Sequence, residues 1–233
     1  MNFIEEELSK NSHKLDEVLN HPFLNLISNE GIEKNKFSYF IGQWYHLIEF
    51  FCPFLSRTIS ENKSTDIQTF LSKILYQELG SGKPKNSHLK LFIDTFIDAG
   101  LEPSVVNGED ERLEQTIAWV EGHRVAATNE NRGLGFVYGT EMLDLGMVKA
   151  VGIGATKATG VSKLNWVAVH LKEEPDHTSC VTLSVDKLDR ESQLEVISGV
   201  LDVWALWRDF FTGVNKYIEE HDEDFSAKEE SVC

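Results

Sequence analysis

Apolar residues recur along this chain at intervals of three and four, the spacing that lines one face of an α-helix. The clearest run is Phe37, Phe40, Ile41, Trp44, Ile48, Phe51 and Leu55, with Pro53 inside it as an expected kink or stop. Two shorter helices are expected before it, over Phe3 to Leu8 and Leu15 to Ile27. After a polar break from Ser60 to Asp66, Thr65 and Gln68 resemble a capping box that opens the next helix. That helix carries Ile67, Phe70, Leu71, Ile74 and Leu75 on one face and stops at Gly80-Ser81-Gly82-Lys83-Pro84. Asn86 or Ser87 can cap a new helix that begins with His88 and carries Phe92, Phe96 and Ile97 to Gly100. Pro103 to Asp110 reads as a loop.

Leu113, Ile117, Val120 and Val125 predict a further helix, and Leu134, Val137, Tyr138, Leu145 and Val148 another. Gly152 to Gly160 reads as a glycine-containing turn. From about Ser162, Leu164 and Val167 lead a helix into His170. A last amphipathic helix runs from about Asp189 with Leu194, Ile197, Leu201, Trp204, Phe211 and Val214 inward. No stretch alternates with the period of two that a strand requires, there is no Asn-Gly hairpin, and nothing repeats at a fixed period. The expected fold is all-α, a compact bundle of seven or eight helices. Residues 1–221 are expected to form one domain and 222–233 an acidic, disordered tail.

Composition narrows the possible partners. A formal net charge of −16 over 233 residues argues against nucleic acid and against an anionic membrane surface, both of which call for clustered Lys and Arg. Cys52, Cys180 and Cys233 lie far apart and read as reduced thiols. The first 14 residues have no apolar core of a signal peptide, and Gln43, His46 and Glu49 interrupt the most apolar run. A cytoplasmic location is the expectation.

Charged groups within the apolar stripes carry the chemistry. Glu78 occupies the next position on the Ile67–Leu75 stripe, and Glu141 falls within that of Leu134–Val148. Burying a lone carboxylate costs several kcal/mol, about 3–5 by the cost of breaking a buried pair, unless it is paired or coordinated. Glu78 in a last turn and His88 in a first turn flank a tight connection, which would let them face a common point. His170, Glu174 and His177 stand at i, i+4 and i+7, close together on one helix face at about 100° per residue. Each group alone has an ordinary explanation: a core Glu paired with Arg, a capping or hydrogen-bonded His. Together, three carboxylates and three imidazoles suit two divalent cations of intermediate hardness, Fe(II) or Mn(II). Glu174-x-x-His177 is the only E-x-x-H in the chain, which fits a ferritin-like site poorly. Gly133-x-Gly135 and Gly152-x-Gly154 follow helices rather than strands, so a dinucleotide loop is not expected. Cys52 and Cys180 lack an obvious His/Asp partner in sequence. Trp44, Trp204 and Trp207 read as core or pocket lining, and the polar pair Tyr45 and His46 as hydrogen-bonded within the bundle.

The order Glu78, His88, Glu141, His170, Glu174, His177 resembles the ligand pattern of the haem-oxygenase-like diiron oxidases and oxygenases, the CADD-like branch of the TenA/PqqC superfamily. The resemblance extends to His21-Pro22-Phe23-Leu24, Gln43-Trp44-Tyr45-His46 and Tyr138-Gly139-Thr140-Glu141, and so covers nearly the whole chain. It implies a helical bundle whose cavity holds two irons on those six residues, with Glu141 bridging, and with Trp44, Tyr45 and Tyr138 as candidate pocket residues. Diferrous iron would react with O2 through a peroxo species and oxidise a small organic substrate, such as a fatty or amino acid. An external electron donor and a homodimer are compatible with it. Many relatives carry Asp where this chain has Glu174. Those that form an aminobenzoate use a Tyr beside the middle Glu, where this chain has Thr140, so that activity is not expected. The other functions weighed are a binding or regulatory protein on the same fold with a structural metal or none, and a metal-free enzyme of the thiaminase or cofactorless-oxidase kind.

Overall fold

A computed structural model describes residues 3–225, except the side chains of residues 173–180 and 183 within one helix. Among the described residues the chain is helical throughout, with α1 Phe3–Ser9, α2 Ser12–Leu19, α3 Pro22–Asn25, α4 Lys34–Glu61, α5 Thr65–Glu78, α6 His88–Asp98, α7 Pro103–Val106, α8 Glu114–Ala126, α9 Glu130–Thr159, α10 Asn165–Val185 and α11 Arg190–Glu220. The all-α class is as expected. The helices outnumber the expected seven or eight because three are short and one expected helix is split. None is long and apolar enough to cross a membrane.

The split lies at His21-Pro22. Proline disfavours helical backbone in the residue before it, and His21 is extended with its Nδ1 accepting from the Phe23 N–H at 3.2 Å. The expected helix over Leu15 to Ile27 is therefore α2, then α3 running into a π-turn at Leu26–Glu30. Pro53, in contrast, does not end α4. Pro53 and Glu49, whose carbonyl loses its partner, are both exposed, while Phe54, Leu55 and Thr58 beyond them are buried. Packing on the far side thus outweighs the ~3 kcal/mol that an interior proline costs.

Other boundaries also move for local reasons. Ser64, not Thr65, caps α5 by accepting from the Ile67 N–H, and the Gln68 amide donates to the Ile59 and Asn62 carbonyls. Within the expected loop after Pro103, one helical turn forms as α7. On α8, Ile117 and Val125 are exposed, and the inward face is Thr116, Trp119, Val120, His123 and Ala126. Leu194 on α11 is exposed as well. Gly152 and Gly154 do not turn the chain. They lie inside α9, which runs on to Gly160. Their role is close approach: a Cβ on Gly152 would sit 2.9 Å from Val167 Cγ1. Nor does the chain leave the bundle at residue 221. Asp222 pairs with the nearly buried Lys36, Asn35 donates to the Phe225 carbonyl at 2.6 Å, and the Phe225 ring packs on Tyr39. Residues 226–233, the rest of the expected tail, lie outside the described residues.

Helix α9 is the spine, with α11 along one side, α10 along another and α4 across it. The approach of α9 to α11 is set at Gly135, where a Cβ would meet the Val196 carbonyl oxygen at 2.3 Å and Gly199 Cα at 3.0 Å. Backbone cannot yield as a side-chain tip can. Gly135→Ala is therefore expected to destabilise by about 1–3 kcal/mol. Gly122→Ala, whose Cβ meets only the end of Leu206, is expected to be neutral or up to ~1 kcal/mol stabilising through helix propensity. Urea unfolding of both variants beside the parent measures this. Equal losses would show that the helix contact is not rigid.

His123 is the fully buried histidine of this core, held among Phe54, Phe136 and Trp119. Burial lowers its pKa to about 3, against a smaller opposing effect of the hydrogen bond to the Trp119 carbonyl. The folded state thus keeps the ring neutral where the unfolded chain would protonate it below about 6.5. The stabilisation is complete above pH 6.5 and is lost as pH falls from there toward 3, at ~1.4 kcal/mol per pH unit for this one group. His123→Phe should flatten that dependence between pH 6.5 and 4.5, read from unfolding free energies at several pH values. A variant with the parent's slope would exclude His123 as its source.

Candidate metal centre

Glu78 ends α5, and the chain then reverses through Gly80, Ser81 and Gly82, all at positive φ, before His88 opens α6. At Gly80 a Cβ would meet the Lys83 carbonyl oxygen at 2.4 Å, so the reversal depends on glycine. It delivers the His88 Nδ1 to 2.9 Å from the Glu78 Oε2, both side chains buried. His170 reaches the same point from α10, its ring centroid 4.4 Å from that of His88. One donor atom each from Glu78, His88 and His170 lies within 4.8 Å of the others. That is the arrangement expected of groups sharing one ion.

The protonation of His170 suits a ligand. Its Nδ1 lies 3.0 Å from the Trp166 carbonyl oxygen, one helical turn back. A carbonyl only accepts, so Nδ1 carries the proton and, in the neutral ring, Nε2 carries the lone pair. Metal-binding histidines are commonly oriented by such a bond. The sequence Trp166-Val-Ala-Val-His170 has a close counterpart in Trp119-Val-Glu-Gly-His123, where Nδ1 again donates to the Trp carbonyl, at 2.9 Å. There the ring is stacked on Trp119 at 3.5 Å, and among the described residues no carboxylate acts on it.

Glu141, from the buried face of α9, borders the same cavity of about 40 Å³ as Glu78 and His170. Three expected carboxylate or imidazole donors thus line it, and His88 lies against two of them. The side chains of Glu174 and His177 lie outside the described residues. Asp144, one turn beyond Glu141, also borders the cavity and was not among the expected site residues. Its spacing of three from Glu141 was the available signal. Of the candidate pocket residues, Trp44 lines the cavity, joined by Trp207 and by Trp119, which no stripe had singled out. Tyr45 does not: its hydroxyl donates to Glu49 at 3.1 Å and its ring packs on His46. Tyr138 is buried and hydrogen-bonded to Thr182. Cys52 is a poor nucleophile, since burial and then the Glu78 carboxylate push its thiol up to about 12.

The whole fold matches solved structures at low identity. A domain of unknown function with a haem-oxygenase-like fold from Shewanella denitrificans is 14% identical, with a TM-score of 0.78 over 94% of either chain. A CADD-like protein of unknown function from Nostoc punctiforme is 14% identical, with a TM-score of 0.69 over 89% of this chain and 98% of its own. A TenA homologue from Pyrococcus furiosus is 15% identical, with a TM-score of 0.70 over 91% of this chain and 100% of its own. These likenesses establish the fold. No curated protein sequence matches the chain. A family model described as iron-containing redox enzyme matches residues 38–208, which hold Glu78, His88, Glu141 and His170, and the chain belongs to that family.

Proposed function

We propose that this protein is an O2-dependent non-haem diiron oxidoreductase acting on a small organic substrate. The observation that carries the reading is the buried convergence of Glu78, His88 and His170 beside Glu141. One carboxylate and two imidazoles form a mixed oxygen and nitrogen set that suits iron, manganese or zinc, and the match to an iron-containing redox family favours iron. A dication there offsets the burial of a carboxylate that a neutral core could not.

In this reading Glu78, His88 and His170 hold one ion. Glu174 and His177 would help to hold the second, and Glu141 would serve both. Ferrous iron, when bound, would supply the electrons that reduce O2 to an oxidant for the substrate, with manganese able to replace one ion. The chain's own contribution is placement. The Trp166 carbonyl fixes His170 with Nε2 toward the centre, and the Gly80 reversal fixes His88 against Glu78. Trp44, Trp119 and Trp207 wall the cavity with apolar surface that limits water beside the reacting atoms. A fatty or amino acid is the substrate class that the family resemblance favours.

A second reading has one observation in its favour: among the described residues, the donors close enough to share an ion suffice for a single metal. It makes the protein a one-metal binding or regulatory member of the fold. A metal-free enzyme with a Cys52 nucleophile is opposed by the raised pKa of that thiol.

Anaerobic Fe(II) titration of the full chain separates these readings. Saturation at two ions per chain is expected, with His170→Ala and Glu141→Ala each weakening binding by at least about tenfold. Saturation at one ion supports the second reading. No uptake, or variants that bind iron as the parent does, would sink both.

A further inference from the structure

The two imidazoles of the candidate centre come from different helices, and those helices are joined again beyond the donors. Helix α6 opens with His88 and carries Thr95 two turns further on, both side chains buried. Helix α10 opens at Asn165 and carries Trp166 and, one turn later, His170. The Trp166 N–H donates to the Thr95 Oγ1 at 3.0 Å. The Trp166 carbonyl in turn accepts from the His170 Nδ1 at 3.0 Å. One residue of α10 is thus held from α6 by its N–H and holds a candidate ligand by its carbonyl.

The bond from Trp166 to Thr95 replaces a missing cap. The first turn of a helix leaves N–H groups with no partner inside the helix, and the residue before it commonly offers an oxygen to the second or third. Leu164 stands there in α10 and makes no side-chain cap. Trp166 is the second residue of the helix, and the oxygen it needs comes from α6 instead. Without it that buried N–H would carry the full cost of desolvation, so α10 is favoured in the register where the two atoms meet.

Ring packing alone would not set that register. The Trp166 indole lies 5.3 Å from Phe92, 6.1 Å from Phe96 and 4.3 Å from His170, centroid to centroid. Apolar contacts are non-directional and tolerate a slide or a small rotation, whereas a hydrogen bond weakens steeply away from its preferred angle. A slide of α10 would carry the His170 ring away from that of His88, now 4.4 Å off. Metal sites hold their donor distances to within about 0.2 Å, so the register of α10 bears directly on this one.

We propose that Thr95 is a positioning residue for the metal centre: its hydroxyl, acting through Trp166, sets where His170 stands relative to His88 and Glu78. The inference rests on the proposed function for the metal itself, while the placement of His170 can be read without one.

Thr95→Val keeps the shape and loses the hydroxyl, and Thr95→Ser keeps the hydroxyl. Thr95→Ala lacks the hydroxyl without the bulk and should follow Thr95→Val. Thr116→Val is the control: Thr116 is a buried threonine whose hydroxyl also bonds to another helix, donating to Gln43 at 2.7 Å, and α8 supplies none of the candidate donors. Each full-length chain is titrated anaerobically with Fe(II) and with Co(II), whose visible spectrum follows coordination geometry, below the melting transition of every variant. Thr95→Val should weaken binding about threefold to tenfold and change the Co(II) spectrum, a smaller loss than the roughly tenfold to hundredfold for a ligand's direct partner, because Thr95 acts through one further residue. Thr95→Ser and Thr116→Val should bind as the parent does. In the metal-free protein the His170 ring resonances should shift, and the Trp166 amide lose protection against deuterium exchange, in Thr95→Val and in neither of these two. The proposal is overturned if both variants lacking the hydroxyl bind metal as the parent does, or if Thr95→Ser or Thr116→Val loses as much as Thr95→Val. A parent that binds no metal removes the metal reading. The placement of His170 then stands or falls on its resonances in metal-free Thr95→Val.

Discussion

Charge in an aromatic core is the constraint on which the arrangement of this protein turns. Glu78 and Glu141 project from helices whose other inward residues are mostly apolar, into a space bordered by Trp44, Trp119 and Trp207. Left alone, each would cost several kcal/mol, about 3–5 by analogy with a broken buried pair. The fold answers with imidazoles. A proton held between His88 and Glu78 would neutralise that pair at their separation of 2.9 Å. It would not account for His170, brought to the same point from another helix with its proton committed to the Trp166 carbonyl. Two imidazoles and a carboxylate around one point satisfy each other best through a shared cation.

The scaffold that makes this possible is built on close helix contacts. Helix α9 carries Glu141 and Asp144 to the cavity, and glycine at 135 and 152 lets α11 and α10 lie nearer to it than any side chain would allow. The same glycines explain why part of the fold was illegible in the sequence. Read locally, Gly152 to Gly160 looks like a turn. In the bundle, Gly152 and Gly154 are helix interior, chosen for the neighbour they face. Pro53 misleads in the same direction, because the apolar residues beyond it hold α4 together. The helical class, the α5 and α6 faces and the α11 start at Asp189 were legible, since each rests on spacing or a cap within the segment itself.

The site divides along the same line. Glu78 and Glu141 could be found because each breaks an apolar stripe, an anomaly visible in one helix alone. Asp144 and Trp119 could not be singled out so, because their place on the cavity depends on how α8 and α9 are rotated against α4 and α11. On α8 the sequence pattern favoured Ile117 and Val125 as inward residues, and both face out.

The two Trp-Val-x-x-His segments show how far local sequence reaches. Each places a histidine one turn after a tryptophan, packs the two rings together (stacked at His123, tilted by 49° at His170) and pins Nδ1 on the tryptophan carbonyl. Local geometry is therefore alike at both: Nδ1 is committed to a carbonyl, and Nε2 is the nitrogen that meets what other helices bring. What differs is what other helices bring. His170 meets His88 and Glu78. His123 meets the edges of Phe54 and Phe136, which offer no charge to share, and its burial lowers its pKa to about 3. A short motif can prepare a lone pair for a metal. Only the carboxylate supplied by another helix gives that lone pair something to bind beside.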